Sequence, residues 1–133
     1  MLRFVPGERL PDSLAEFARR NQVEAAAVAM GIGQFVEAKV GFWNGSEYVP
    51  RSLTTPVEVV SLSGSIAEAD GEPSIHLHAV LGTPDHGAVS GHLLSGTVGL
   101  LVEMLVIAFP GRRFGRPFDE SLGLRRLDLE PPP

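Results

Sequence analysis

Three of the four histidines in the chain, His76, His78 and His92, fall within 17 residues and form the group best suited to chemistry. Side chains alternate along a β-strand, so His76 and His78 project from one face of a strand while their apolar neighbours project from the other. If the next hairpin centres on Asp85, residue 78 pairs with residue 92, and paired residues share a face. The three imidazoles then converge, whereas a loop with an even number of residues would turn His92 away.

Three neutral imidazoles on a rigid hairpin are ligands that a divalent transition metal such as zinc accepts, and they leave a fourth coordination position open. The spacing therefore predicts a metal site at His76, His78 and His92. The alternative is structural, with the histidines hydrogen-bonded at a subunit interface. The fourth histidine, His86, falls in a predicted turn, where we expect it to be exposed and outside the site.

Two carboxylates are candidate catalytic groups, Glu58 and Glu103. Glu103 interrupts an apolar run, where an unpaired charge is costly, so we expect it to be paired, hydrogen-bonded or protonated. Glu58 also lies in a predicted apolar strand, but its surroundings are less uniformly apolar. Either could act as the general base of a metal-dependent hydrolase or lyase. The structural alternative, which we favour, pairs them with an arginine or with backbone donors at a subunit interface. Whether the chain is an enzyme stays open.

Several other classes of site find no support in the sequence. Cysteine is absent, which excludes disulfides, thiolate nucleophiles and cysteine-held metals. Gly31-Ile32-Gly33 has Val36 where the dinucleotide motif needs its third glycine, and neither the phosphate loop G-x-x-x-x-G-K nor the serine elbow G-x-S-x-G occurs. Nucleotide binding and serine hydrolysis are therefore not indicated.

Composition favours one globular domain, because the 133 residues are 44% hydrophobic. The net charge of −5 disfavours binding to phosphate backbones. A local basic patch would nevertheless form if the fold gathered the C-terminal arginines: Arg112, Arg113, Arg116, Arg125 and Arg126. Nucleic acid is thus the second hypothesis for a partner. The chain lacks both a membrane-spanning run and the apolar segment of a secretory signal, which predicts a cytoplasmic location with no membrane partner.

The elements that must position these residues are one short helix and about six or seven strands. Amphipathic spacing predicts the helix over residues 10–22. The predicted strands cover residues 25–30, 34–43, 46–51, 57–67, 74–81, 88–94 and 97–109. A break is expected at Gly31-Ile32-Gly33 and a hairpin turn at Asn44-Gly45. This pattern predicts an α+β fold, a single domain with a mainly antiparallel twisted sheet flanked by one N-terminal helix.

The last long strand is apolar on both alternating faces, between residues 98 and 109. One helix of about 18 Å is too short to cover both faces of such a sheet. We therefore expect a homo-oligomer whose subunits supply the missing cover. Residues 128–133 end in three prolines, so we expect this tail to fray and not to extend the sheet.

Three sequence strings together resemble a known family: SLSGSIA at residues 61–67, DGEPSIHLH at 70–78, and GHLL at 91–94 followed by Gly96. The chain resembles the PPC domain, the plants and prokaryotes conserved domain, from about Arg3 to Phe109. We accordingly divide the chain into a PPC-like domain at residues 1–110 and an arginine-containing extension with a frayed proline tail at residues 111–133.

The resemblance implies an antiparallel sheet with one flanking helix, assembly as a homotrimer, and zinc or a similar metal held by His76, His78 and His92. Plant relatives carry an AT-hook that enters the minor groove of DNA, and bacterial relatives are often described as predicted DNA-binding proteins. The nearest segment here has Phe114 interposed between Arg113 and Gly115, so the minor-groove contact of the AT-hook does not transfer to this chain. The resemblance also implies the other role of the plant domain, which is self-association and the binding of a protein partner.

Overall fold

The structure, a computed structural model, describes residues 1–129 of the chain. Those residues form one helix and eleven strands. The elements are β1 (Leu2–Phe4), β2 (Arg9–Leu10), α1 (Asp12–Arg20), β3 (Ala26–Trp43), β4 (Tyr48–Leu53), β5 (Val57–Ala69), β6 (Glu72–Gly82), β7 (Ala88–Ala108), β8 (Phe114–Gly115), β9 (Phe118–Asp119), β10 (Leu124–Arg125) and β11 (Asp128–Leu129). The predicted α+β class, with one helix and a mainly antiparallel sheet, is confirmed.

The four long strands pair in a closed cycle, in the order β3, β7, β6, β5 and back to β3. One edge of β3 pairs with β7, and its other edge pairs first with β5 and then with β4. The short strands β1 and β2 add to the free edge of β7. Closure turns one face of every long strand inward, and the largest buried side chains, such as Phe35, Leu62 and Met104, form the core there.

The helix α1 lies against β2 and β6 and buries Leu14 and Ala18. It is shorter than the predicted 10–22 at both ends. No helix in the described part of the chain is long and apolar enough to cross a membrane.

The predicted break at Gly31-Ile32-Gly33 is wrong, because β3 runs through it without interruption. The register against β7 shifts on either side of this segment, which marks β-bulges. A Cβ on Gly33 would lie 2.1 Å from the carbonyl oxygen of Leu101. The glycine therefore permits a close approach of two strands and does not end one. The two strands predicted over 88–94 and 97–109 are likewise a single strand, β7.

The C-terminal segment folds back onto β5. The backbone N–H of Arg116 donates to the carbonyl oxygen of Glu68 at 2.8 Å, and β8 pairs with both β5 and β11. The expectation that the tail from residue 128 could not extend a sheet is wrong for Asp128 and Leu129, which form β11. The rest of the predicted frayed tail, residues 130–133, lies outside the described residues.

Candidate metal centre

The β6–β7 hairpin has the register that brings the histidines together. His78 pairs with His92, and Gly82 pairs with Ala88, so residues 83–87 form a five-residue loop centred on Asp85. The loop is closed by the Thr83 N–H, which donates to the Gly87 carbonyl oxygen at 2.9 Å. His86 lies exposed in this loop, as its position in the sequence predicts. The loop has an odd number of residues, and the predicted pairing of residues 78 and 92 is confirmed.

The rings of His76, His78 and His92 form one compact cluster on the outer face of the sheet. Their centroids are 5.2 Å apart for His76 and His78, 4.9 Å for His76 and His92, and 5.6 Å for His78 and His92. One ring nitrogen from each lies within 4.8 Å of the others. Ligands at about 2.0–2.1 Å from a tetrahedral zinc ion are roughly 3.4 Å apart, so modest side-chain rotations would complete the geometry.

Two ring nitrogens of this cluster, His76 Nε2 and His92 Nδ1, are buried without a hydrogen-bond partner among residues 1–129. Buried polar atoms nearly always have a partner, so two such atoms in one cluster call for an explanation. A metal ion would supply it by accepting the nitrogen lone pairs. The donor set is all nitrogen, which suits zinc and neighbouring transition metals better than calcium or magnesium. The residues present therefore fit a metal ion.

The pKa of His76 is lowered from 6.5 to about 4, mainly by burial and in addition by the nearby His92, Arg116 and His78. Burial also lowers the pKa of His92, with smaller contributions from His78 and Arg116. Both imidazoles are therefore neutral at pH 7. The neutral form is the one that binds a metal.

Two aromatic side chains that the sequence analysis did not single out support the cluster from the β3–β4 hairpin. Tyr48 stacks on His92 with centroids 4.6 Å apart and planes at 24°. Trp43 meets the Tyr48 ring edge-on at 5.2 Å. The hairpin predicted at Asn44-Gly45 is confirmed, but its loop has four residues, since Trp43 pairs with Tyr48. The pairing of β3 with β4 places Trp43 and Tyr48 next to the histidine cluster, and the sequence alone does not show this.

A buried arginine lies on another side of the cluster. Arg116 is 5% exposed, and its Nη2 donates to Ser65 Oγ at 2.8 Å. Ser65 pairs with His76 in the β5–β6 ladder, so the guanidinium lies beside His76. Burial lowers the pKa of Arg116. From the sequence, Arg116 was one of five arginines that would form a basic patch if the fold gathered them. No motif or periodicity indicates that the C-terminal segment returns to β5 and buries this residue.

The sequence pattern of the Plants and Prokaryotes Conserved (PCC) domain family matches residues 1–110. The chain belongs to this family. The match confirms the resemblance to the PPC domain drawn from the histidine-containing strings.

Solved structures similar to this PCC domain include three proteins of known source. A "Putative DNA-binding protein" from Ralstonia eutropha JMP134 is 30% identical, with a TM-score of 0.90 over 97% of this chain and 90% of that one. A "Metal-containing Protein" from Archaeoglobus fulgidus is 33% identical, with a TM-score of 0.86 over 94% and 89% of the two chains. A plant- and prokaryote-conserved (PPC) protein from Pyrococcus horikoshii is 28% identical, with a TM-score of 0.89 over 98% and 90%.

Curated relatives of the PCC domain are longer proteins. The "Bifunctional protein GlmU" of Synechococcus sp. strain JA-3-3Ab is 30% identical over 130 residues, which are 97% of this chain and 20% of that protein. The chain thus spans about a fifth of the length of the curated relatives that it matches.

The C-terminal arginines that could have formed a basic patch are mostly buried or paired with carboxylates. Arg116 is buried, and three of the others pair with carboxylates of this chain: Arg113 with Glu24 at 2.8 Å, Arg125 with Asp70, and Arg126 with Asp119 at 2.9 Å. Each of these three arginines therefore has its own acidic partner.

Neither candidate catalytic carboxylate lies at the histidine cluster. Glu58 pairs with Gly82, about 13 Å along β6 from His78, and Glu103 is about 36 Å along β7 from His92. Both are exposed in the single chain. The alternation of β7 turns the neighbours of Glu103 inward and Glu103 outward. The Glu58 carboxylate accepts a hydrogen bond from Gln34 at 3.2 Å.

An open cavity of about 420 Å³ adjoins the exposed side of His78. Trp43 and Tyr48 line it together with the hydroxyl-bearing Ser61, Ser63 and Ser90. A small molecule that approached the histidine cluster from this side would meet an aromatic wall and several hydroxyl groups.

Proposed function

We propose that this PCC domain is a metal-binding protein that holds one divalent transition-metal ion, zinc or a close equivalent, through His76, His78 and His92. The observation that carries the proposal is the cluster of three histidines, each of which offers a ring nitrogen within 4.8 Å of the others. Two of these histidines, His76 and His92, also have a buried ring nitrogen without a hydrogen-bond partner among residues 1–129. The relative from Archaeoglobus fulgidus, described as metal-containing, supports it at 33% identity. Zinc suits the set because it favours nitrogen ligands and four-coordinate geometry.

The chemistry of such a centre depends on the position that three protein ligands leave open. A metal bound there would act as a Lewis acid toward a ligand that entered this position. Glu58 and Glu103 lie away from the cluster, and no carboxylate belongs to the ligand group formed by residues 1–129. We therefore assign no reaction to this centre. Binding of a metal and of a ligand to it is the function that the geometry supports.

Metal analysis of protein purified without a histidine tag tests this function. We expect about one metal ion per chain in the wild type and none in a His76→Ala/His78→Ala variant. The matched control is His86→Ala, which removes an exposed histidine from the loop of the same hairpin and should retain the metal. A wild-type protein without stoichiometric metal, after growth in metal-supplemented medium, would overturn the proposal.

We further infer that the domain assembles as a homotrimer, as the family resemblance implies. The outer face of the barrel supports an assembly, because it exposes a group of apolar side chains on β3, β5 and β7: Met30, Ile32, Val36, Val60 and Leu101. Exposed apolar groups of this kind mark contact surfaces. Sedimentation analysis should give a mass of about 43 kDa, three times the 14.2 kDa chain, and a monomer at micromolar concentration would refute this inference.

The alternative function is a DNA-associated or protein-assembly module without metal chemistry. It draws support from the Ralstonia eutropha relative, described as a "Putative DNA-binding protein". The net charge of −5 and the pairing of Arg113, Arg125 and Arg126 with carboxylates make it the weaker candidate. Gel-shift titration at low and moderate salt distinguishes the two, since phosphate binding weakens steeply as salt rises. Salt-sensitive retardation by the metal-free protein would favour the alternative.

A further inference from the structure

The guanidinium of Arg116 is a buried charge without a carboxylate partner in the described chain. The residue is 5% exposed, its Nε has no hydrogen-bond partner among residues 1–129, and its Nη2 donates to the neutral hydroxyl of Ser65. None of the ion pairs between described residues includes it. A buried charge is costly unless a counter-ion or hydrogen bonds satisfy it, so this one calls for a partner from outside.

The carboxylates on the segment that anchors Arg116 have partners of their own. Glu68, whose backbone carbonyl accepts the Arg116 N–H, uses its side chain to accept the backbone N–H of Gly71. Asp70 pairs with Arg125. Neither carboxylate therefore neutralises Arg116, although both lie at the end of β5 where the C-terminal segment crosses it.

A metal ion in the proposed centre would add positive charge beside the unneutralised guanidinium of Arg116. A divalent ion held by three neutral imidazoles keeps its full charge, and the Arg116 guanidinium beside His76 adds another. No carboxylate belongs to the ligand group. The open coordination position and the unused Nε–H donor of Arg116 are therefore complementary to a ligand that is negatively charged and carries more than one oxygen.

We propose that a small oxyanion, a carboxylate or phosphate group, binds at this centre, with one oxygen toward the metal and another accepting a hydrogen bond from Arg116. This inference rests on the proposed metal-binding function. Arginine suits the role because its planar, permanently charged fork matches the geometry of carboxylate and phosphate groups, which a lysine does not. Arg116 lies beyond residue 110, where the family pattern ends, so the C-terminal extension supplies the anion-binding group of this chain.

The test uses full-length, tag-free protein loaded with cobalt(II), whose visible absorption reports its ligands. Acetate and inorganic phosphate are titrated separately into the wild type, Arg116→Met and Arg113→Met. We expect a saturable spectral change with at least one anion, and the stronger of the two identifies the carboxylate or the phosphate class. Arg116→Met should weaken that binding at least about tenfold, because a charge-assisted hydrogen bond is lost. Arg113→Met, which removes an exposed arginine of the same segment, should leave it unchanged.

A second measurement observes the contact in the wild type, and a variant serves only to assign the signal. In zinc-loaded, ¹⁵N-labelled wild type, the Nε–H resonance of a single arginine should shift on addition of the same anion, and Arg116→Lys identifies it. Failure of the wild type to bind cobalt would overturn the metal centre and this inference together. Cobalt binding with no anion response, or with a response equal in Arg116→Met, would overturn this inference alone and leave the metal centre standing.

Discussion

The position of His76 depends on the close approach of β5 to β6 at Gly64. Gly64 pairs with Leu77, and a Cβ on it would lie 1.8 Å from the His76 carbonyl oxygen and 3.0 Å from the Leu77 Cα. An ordinary contact needs about 3.4 Å, so Gly64→Ala must part the two backbones by about 1.6 Å. Both clashing groups belong to the backbone, which cannot move aside as a side chain would.

A separation of this size is more than half of a hydrogen-bond length, so the ladder bonds on either side of Gly64 would break. Overpacking together with two lost hydrogen bonds should lower the free energy of unfolding by about 3–5 kcal/mol. That is a large part of the roughly 5–15 kcal/mol typical of a domain. Metal affinity should fall as well, because His76 moves away from His78 and His92.

Urea unfolding followed by circular dichroism, with and without a chelator, measures this effect, and cobalt titration measures the affinity. The matched control is Gly71→Ala in the turn of the same hairpin, where φ is +84° and nothing lies within 4 Å of the new Cβ. The control should lose only about 1–2 kcal/mol from backbone strain. If Gly64→Ala were no more destabilising than Gly71→Ala, or kept full metal affinity, the reasoning about the hairpin would be refuted.

Three further outcomes are expected. Metal-free protein should lose about 1–2 kcal/mol of stability as the pH falls from 6.5 to 4, because the pKa of His76 is lowered to about 4 in the folded chain, mainly by burial, and the unfolded chain takes the proton first. Solvent around the half-buried ring keeps the loss in this range. His76→Asn should flatten this dependence in urea titrations, and an unchanged slope would contradict it. Ile32→Glu should convert the oligomer to monomers in sedimentation runs, whereas Arg51→Glu on exposed β4 should not; equal behaviour of the two would refute the contact surface. Tyr48→Leu should weaken metal binding about threefold to tenfold through loss of the ring stacked on His92, and unaltered affinity would show that the stacking does not position that histidine.

The histidine cluster was predictable because it depends on one local hairpin. Alternation fixes the shared face of His76 and His78, and the loop centred on Asp85 fixes the pairing of His78 with His92. Both facts concern residues close together in the chain, where turn chemistry and periodicity carry the information. The fold class followed for the same reason, since successive hairpins produce an antiparallel sheet.

The features that the sequence did not reveal depend on contacts between distant segments. The sequence predicted a strand break at Gly33. In the structure this glycine lies inside β3, where the backbone of Leu101 is too close to allow a Cβ. Glu103 lies in an apolar run, and only the observed register shows that it points outward. Arg116 is brought beside the histidines by contacts with distant residues, among them the backbone hydrogen bond to Glu68 and the side-chain hydrogen bond to Ser65, which no local pattern encodes.

The most direct measurement of the central claim is an anomalous-scattering map from crystals of tag-free protein, recorded on either side of the zinc absorption edge. We expect one peak per chain, about 2.0–2.1 Å from a ring nitrogen of each of His76, His78 and His92. A map without a peak among these rings, from protein supplied with zinc, would contradict it, as would a peak bound by other residues.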